Sequence, residues 1–151
     1  GLEKADGTGH ISYDPTNHDL MVRARAAKIA GIVVPDLEVD DPTDDATVLM
    51  LGWGSTYGPI GVACKHARRA GLKVAQAHLR HLTPFPANTG DVLTRYQHVV
   101  VPEMNLGQLA MLLRARYLVD VISYNQVRGM PFKSDELRQV IEDVIANGAI
   151  Q

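Results

Sequence analysis

The chain has 151 residues, of which 46% are hydrophobic, so it is long enough to bury one sizeable core. Lys and Arg total 15 against 17 acidic residues, and this balance provides no broad positive surface for nucleic acid or anionic lipid. The single cysteine excludes an internal disulfide and a four-thiolate iron–sulfur cluster. No apolar run approaches the roughly 20 residues of a membrane span. The single cysteine fits a reducing cytoplasm, and we expect a cytoplasmic protein without nucleic-acid or membrane partners.

The first 45 residues have the composition of a linker. Residues 1–17 are polar and turn-forming, as in a chain that continues from a preceding segment. Residues 17–30 predict a helix with an Asn start and a thin apolar stripe, followed by a segment that mixes Pro with acidic residues. We therefore predict an inter-domain linker with a surface helix over residues 1–45 and a compact domain over residues 46–151.

Beyond Asp45, short apolar runs alternate with helical stretches. Strands are predicted near residues 47–53, 73–79, 98–102 and 119–124, and we expect the first three to be parallel. The predicted helices have their start and stop signals at Pro59 and Gly71, at Asn88, at Asn105 and Gln108, and at Ser134 and Gly148. This alternation predicts an α/β fold, a three-layer α/β/α sandwich with a mostly parallel sheet and right-handed crossovers.

Polar residues cluster where the predicted strands end, which is where open α/β sheets gather their ligand sites. The loop Gly52–Gly58 could hold an anion through Gly54, Ser55 and Thr56, whose N–H and hydroxyl groups would lie near a helix start. Its spacing fits neither common phosphate motif, and a tight strand-to-helix turn is the alternative interpretation.

Four further residues are candidates for an interface: His78, His81, Glu103 and Asn105. On an extended segment the two histidines would point to opposite faces, so no metal site is predicted there. Glu103 and Asn105 also fit a strand end and a helix cap, and Cys64 fits a small buried residue of a helix. No catalytic, cofactor-binding or metal-ligating residue is predicted from these patterns.

The order of several motifs resembles the alpha subunit of 2-oxoacid:ferredoxin oxidoreductases. The motifs are GLEKADGTGHISYDPTNH at the start, LGWGSTYGPI (residues 51–60), HLRHLTPFP (78–86), VVVPEMNLGQL (99–109), YLVD (117–120) and residues 127–132. The resemblance covers nearly the whole chain and is closer to the 2-oxoglutarate group than to the pyruvate group. The sequence departs from the family pattern at Lys4 and Ala5, where His and Asp are usual.

The resemblance implies a transketolase C-terminal-like domain at the end of the alpha subunit. It implies an enzyme complex that decarboxylates a 2-oxoacid on thiamine diphosphate with Mg²⁺, reduces ferredoxin through a [4Fe–4S] cluster and releases an acyl-CoA. The remainder of the alpha subunit and the beta subunit would be the partners and would hold these cofactors, so this chain alone would be inactive and bind none. The rival hypothesis is a free-standing α/β module that binds a nucleotide or other anion at the Gly52–Gly58 loop.

Overall fold

The computed structural model describes residues 2–150, which contain seven strands and five α-helices. In chain order these are β1 (Glu3–Lys4), β2 (Ile11–Ser12), α1 (Pro15–Ala30), β3 (Val39–Asp40), β4 (Val48–Trp53), α2 (Tyr57–Arg69), β5 (Val74–Leu79), α3 (Thr89–Thr94), β6 (His98–Glu103), α4 (Gln108–Tyr117), β7 (Val121–Asn125) and α5 (Ser134–Asn147). A 3-10 turn, Gly54–Thr56, joins β4 to α2.

Five strands form one sheet in the order β3-β5-β4-β6-β7. β4, β5, β6 and β7 are parallel to one another, and β3 pairs antiparallel with β5. Leu51 lies opposite Ala77 on β5, and Leu49 lies opposite Val99 on β6. The predicted parallel arrangement of the first three long strands is therefore confirmed. β1 and β2 form a separate antiparallel hairpin.

The sheet buries both of its faces, which explains why its central strand is continuously apolar. Val48 and Met50 face a core cluster with α2 and α5, whereas Leu49 and Leu51 face a second cluster with α3 and α4. Alternate side chains of a strand point to opposite faces, so one apolar run supplies both clusters. The predicted three-layer α/β/α sandwich is confirmed.

Four helices begin at residues other than those predicted. α2 starts at Tyr57 rather than at Pro59, and α4 starts at Gln108 with Gly107, not Asn105, in the cap position. α1 starts at Pro15 rather than at residue 17, because the Asp14 carboxylate accepts a hydrogen bond of 2.9 Å from the Thr16 N–H and Pro suits a first helical position. Ser134 is the first residue of α5 rather than its cap, and Lys133 occupies the cap position without a side-chain hydrogen bond. In place of a capping side chain, Asp135 and Glu136 lie in the first turn of α5, close to the positive end of the helix.

Residues 37–40 tie the predicted linker to the sheet. Leu37 is buried in the core, and its N–H and C=O bond the side chain of Asn88 at 2.8 and 3.0 Å. Asn88 therefore holds Leu37 instead of capping α3 through its side chain. Asp40 of β3 bonds Arg68 of α2, with Oδ2 and Nη1 2.7 Å apart. Sequence reasoning missed β3, because two residues carry no readable periodicity.

The hairpin β1–β2 and helix α1 contact each other more than the sandwich. No residue of α1 is buried, and the helix packs on β1, where Arg25 Nη2 lies 2.8 Å from Glu3 Oε2. The hydrogen bond from Arg25 lowers the pKa of Glu3 to about 2. Val33, just beyond the helix, is 96% exposed. Within residues 2–150, no helix combines the length and apolar character needed to span a membrane.

Candidate functional site

The four parallel strands bring their carboxyl ends to one edge of the sheet, where the predicted polar clusters meet. The chain passes from β4 to β5 on one side and then to β6 on the other side of β4. The crevice between the ends of β4 and β6 is therefore the point at which the strand order reverses, the usual place for a ligand in such sheets.

This crevice is bridged by the buried carboxylate of Glu103, at the end of β6. Its Oε1 accepts hydrogen bonds from Trp53 Nε1 at 3.2 Å, Asn105 Nδ2 at 3.1 Å and Leu109 N at 2.9 Å. Its Oε2 accepts one from Ala110 N at 3.0 Å. Glu103 thus joins the end of β4 to the first turn of α4, where unpaired backbone N–H groups favour a negative charge.

Asn105 completes this start of α4. Its Oδ1 accepts from the backbone N–H groups of Gly107 at 2.8 Å and Gln108 at 3.0 Å. Gly107 adopts a left-handed conformation, with φ of 87°. The explanation of Glu103 and Asn105 as a strand-end residue and a helix cap matches these contacts, whereas an interface role for either stays a prediction.

The loop after β4 folds as a tight turn. The Thr56 hydroxyl accepts from Trp53 N at 3.0 Å and donates to Trp53 O at 2.8 Å, so it is engaged within the turn. Gly54 has a positive φ of 57°, and Ser55 is exposed beside a shallow cavity of ≈ 220 Å³. Of the three residues predicted to hold an anion, Gly54 and Ser55 are exposed, whereas Thr56 is buried.

His78 and His81 line one cleft together with Arg80, whereas divergent side chains were expected for an extended strand that continues to His81. β5 ends at Leu79, and the alternation of side chains therefore stops before His81. The ring of His78 also packs edge-on against that of Tyr57, with centroids 5.1 Å apart. Burial and the nearby Arg80 guanidinium lower the pKa of His78 below its usual range.

A second cleft, on the α2 side of β5, was missed by sequence reasoning. It contains Gln76, a polar residue that is nine-tenths buried, together with His78. The available signal was one glutamine with apolar neighbours on both sides, in the segment VAQA (residues 74–77). A buried polar side chain in such a run marks a position where a partner is needed.

The cluster at the end of β7 connects the sheet to α5. Gln126 Nε2 donates to Tyr124 Oη at 2.6 Å and to Glu136 Oε2 at 3.2 Å. Arg128 Nη1 lies 3.2 Å from Glu136 Oε1. These bonds lower the pKa of Glu136, chiefly through Gln126. The cluster therefore has a packing role in this chain.

The described residues do not offer the ligand set of a metal or iron–sulfur centre. Cys64 is buried within α2, and burial raises the pKa of its thiol to about 12. Among residues 2–150, no group of three His, Cys, Asp or Glu side chains converges as metal ligands. The donor chemistry present here therefore fits neither a four-thiolate cluster nor a carboxylate-bound Mg²⁺.

Comparison with known proteins gives several related matches. The family model described as pyruvate:ferredoxin oxidoreductase core domain II matches residues 46–140. The 2-oxoglutarate oxidoreductase subunit KorA of Mycobacterium tuberculosis is 65% identical over 146 residues, which are 97% of this chain and 22% of that protein. The alpha subunit of 2-oxoacid:ferredoxin oxidoreductase 2 of Aeropyrum pernix is 33% identical over 155 residues, covering 98% of this chain and 24% of that protein.

A solved structure shares the fold. It is the 2-oxoglutarate:ferredoxin oxidoreductase from Magnetococcus marinus, with 2-oxoglutarate, coenzyme A and succinyl-CoA bound. It superposes with a TM-score of 0.79 and 30% sequence identity, over 94% of this chain and 26% of that one. This chain therefore spans about a quarter of the length of each of these relatives.

Proposed function

Because the chain belongs to the pyruvate:ferredoxin oxidoreductase core domain II family, we propose that it forms one domain of the alpha subunit of a 2-oxoglutarate:ferredoxin oxidoreductase. The observation that carries the proposal is the 65% identity to a 2-oxoglutarate oxidoreductase subunit along 97% of the chain. The whole complex would convert 2-oxoglutarate and coenzyme A to succinyl-CoA and carbon dioxide. We propose that ferredoxin accepts the two electrons released and that the enzyme is cytoplasmic.

Within that complex, this chain would be a structural and interface domain. Its one thiol is buried, and the polar side chains at the carboxyl edge of the sheet largely bond one another. Thiamine diphosphate, Mg²⁺ and the [4Fe–4S] cluster would be held by the remainder of the alpha subunit and by the beta subunit. The rival free-standing nucleotide-binding module is not favoured, because the similarity to oxidoreductase subunits extends along nearly the whole chain.

The substrate is tested by electron transfer in the intact enzyme that contains this chain. We expect reduction of ferredoxin, or of a viologen dye, to depend on both 2-oxoglutarate and coenzyme A, and pyruvate to support a much lower rate. The 151-residue chain alone should show no such activity. A preference for pyruvate would contradict the proposed substrate, and activity of the chain alone would contradict its proposed structural role.

We also propose that residues 1–45 connect the domain of residues 46–151 to the rest of the subunit. α1 has no buried residue, and several apolar side chains of this segment are exposed, among them Ile29, Ile32 and Val33. Ordering costs roughly 1 to 2 kcal/mol per residue, which burial within this segment does not offset. Contacts with a neighbouring domain or the beta subunit would supply the missing stabilisation.

Amide hydrogen exchange on the chain tests whether residues 1–45 are less stably ordered than the domain of residues 46–151. α1 and α5 are a matched pair of helices, with 16 and 14 residues, but only α5 buries an apolar stripe. We expect fast exchange throughout residues 2–34, slow exchange in α5, β4 and β6, and partial protection at residues 37–40, which pack on the sheet. In the intact enzyme, α1 should become protected. Equal protection of α1 and α5 in a verified monomer would contradict the proposal.

A further inference from the structure

A cleft of ≈ 280 Å³ opens beside the short strand β3, at one edge of the sheet. Six of its lining residues have polar side chains: Glu38, Asp40, Tyr57, Gln76, His78 and Arg80. β3 pairs with β5 only through Val39 and Asp40, opposite Ala77 and Gln76. The carboxyl end of β5 beyond Ala77 is therefore not covered by β3, and its polar side chains reach the cleft.

Gln76 is the most buried of these polar residues, with 9% of its surface exposed. Its carboxamide lies beside Gly61 of α2, where an added methyl carbon would be 3.4 Å from Oε1 and 3.5 Å from Nε2. A side-chain amide has two N–H donors and an acceptor oxygen, and the side chain of Gln76 lines the cleft. Largely buried polar groups in folded proteins are almost always paired with protein or water, so this amide can bond a ligand that enters the cleft.

His78 lines the same cleft with part of its ring. Its Nδ1 has no hydrogen-bond partner among residues 2–150, but this atom is buried beside Gly52 and does not face the cleft. Gln76 and His78 are two residues apart on β5, so their side chains leave the strand on the same face.

The charges around the cleft favour an anionic group near Arg80. The Asp40 carboxylate is already paired with Arg68, at 2.7 Å. Arg80 is exposed and forms no ion pair with the described residues, and Glu38 is the remaining acid at the rim. A guanidinium group binds carboxylate or phosphate through two parallel hydrogen bonds, and these charge-assisted bonds are the strong ones.

We infer that this cleft is a binding site for a small ligand with a carboxylate or phosphate group, which pairs with Arg80 while other polar atoms of the ligand bond the Gln76 amide beside the His78 ring. The Glu38 carboxylate disfavours a second negative group at its side of the cleft and favours a hydroxyl or amine there. The inference goes beyond the proposed function, since the site would lie outside the residues that hold the cofactors.

The site is tested by NMR titration of the ¹⁵N-labelled chain with three separate probes: inorganic phosphate, 2-oxoglutarate and coenzyme A. We expect at least one probe to give saturable shifts of the Gln76 side-chain amide and the His78 amide, with a Kd of about 1 mM or lower. A response to 2-oxoglutarate alone identifies a carboxylate ligand, and a response to phosphate and coenzyme A identifies a phosphate ligand. No saturable shift with any probe would overturn the inference.

Two variants and one control show whether Arg80 and Gln76 carry the binding. Arg80→Gln and Gln76→Met should each weaken binding about tenfold or more, because they remove the charge partner and the amide. Arg69→Gln, at an exposed arginine of α2 outside the cleft, should bind like the parent chain. Well-dispersed spectra confirm that each variant is folded. Unchanged affinity in folded Arg80→Gln would also overturn the inference.

Discussion

Replacing Glu103 with alanine should lower the free energy of unfolding by about 3 to 5 kcal/mol. The carboxylate is fully buried and accepts four hydrogen bonds, from Trp53, Asn105, Leu109 and Ala110. Alanine would leave these four donors without their acceptor and would remove the negative charge from the start of α4. Urea denaturation, followed by circular dichroism and extrapolated to water, measures the change.

Two control variants distinguish the effect of losing these hydrogen bonds from the effect of losing an acidic side chain. Glu103→Gln keeps the side-chain size and one acceptor oxygen, so its loss should be clearly smaller than that of Glu103→Ala. Glu142→Ala removes an acid that pairs with Arg138 one turn earlier on α5, and pairs of this kind contribute about 0 to 1 kcal/mol. If Glu103→Ala and Glu142→Ala had similar effects, Glu103 would not connect β4 and α4 as we infer.

Replacing Gly52 with alanine should destabilise the chain by about 1 to 3 kcal/mol, although the change adds only one methyl group. Gly52 is buried near the end of β4. Its new Cβ would lie 2.7 Å from Ile60 Cδ1, 2.7 Å from Thr56 Oγ1 and 3.2 Å from His78 Nδ1. These distances are shorter than van der Waals contact, so the turn into α2 must move. Thermal and urea unfolding both measure this loss of stability.

Gly61 provides the control, because it lies within α2 and has room for a methyl group. The atom nearest to a Cβ added there is Gln76 Oε1, at 3.4 Å. Alanine favours a helix over glycine by up to about 1 kcal/mol, so Gly61→Ala should leave stability unchanged or raise it. If Gly52→Ala and Gly61→Ala lost the same amount of stability, crowding at Gly52 would not be the cause of the loss.

The outline of the sandwich could be predicted from the sequence because its signals are local. The apolar run at residues 48–51 identifies a strand buried on both faces, and Gly148 ends α5 with a left-handed φ of 71°. The polar stretches that follow the strands likewise indicated the edge where a site would lie. Each of these predictions depends on residues that are neighbours in the chain, or one helical turn apart.

Cap assignments were less reliable, because several polar groups can satisfy the same helix end. Asn88 occupies the predicted cap position, but its side chain bonds Leu37, which lies 51 residues earlier in the chain. The start of α4 is held by Asn105, although Gly107 rather than Asn105 occupies the cap position, and by the carboxylate of Glu103. Nothing in the local sequence shows which of the available partners a side chain will choose.

The sequence by itself determined the strand and helix segments, the parallel sheet and the family, since these depend on local periodicity and on the order of motifs. Only the tertiary structure decided that β3 joins the sheet, that Glu103 bridges β4 and α4, and that Gln76, His78 and Arg80 line one cleft. Those contacts bring together residues from separate elements, and their positions depend on register and packing across the whole sheet. A polar residue within an apolar strand signals that a partner is required, whereas the partner's identity is set by what the folded chain places beside it.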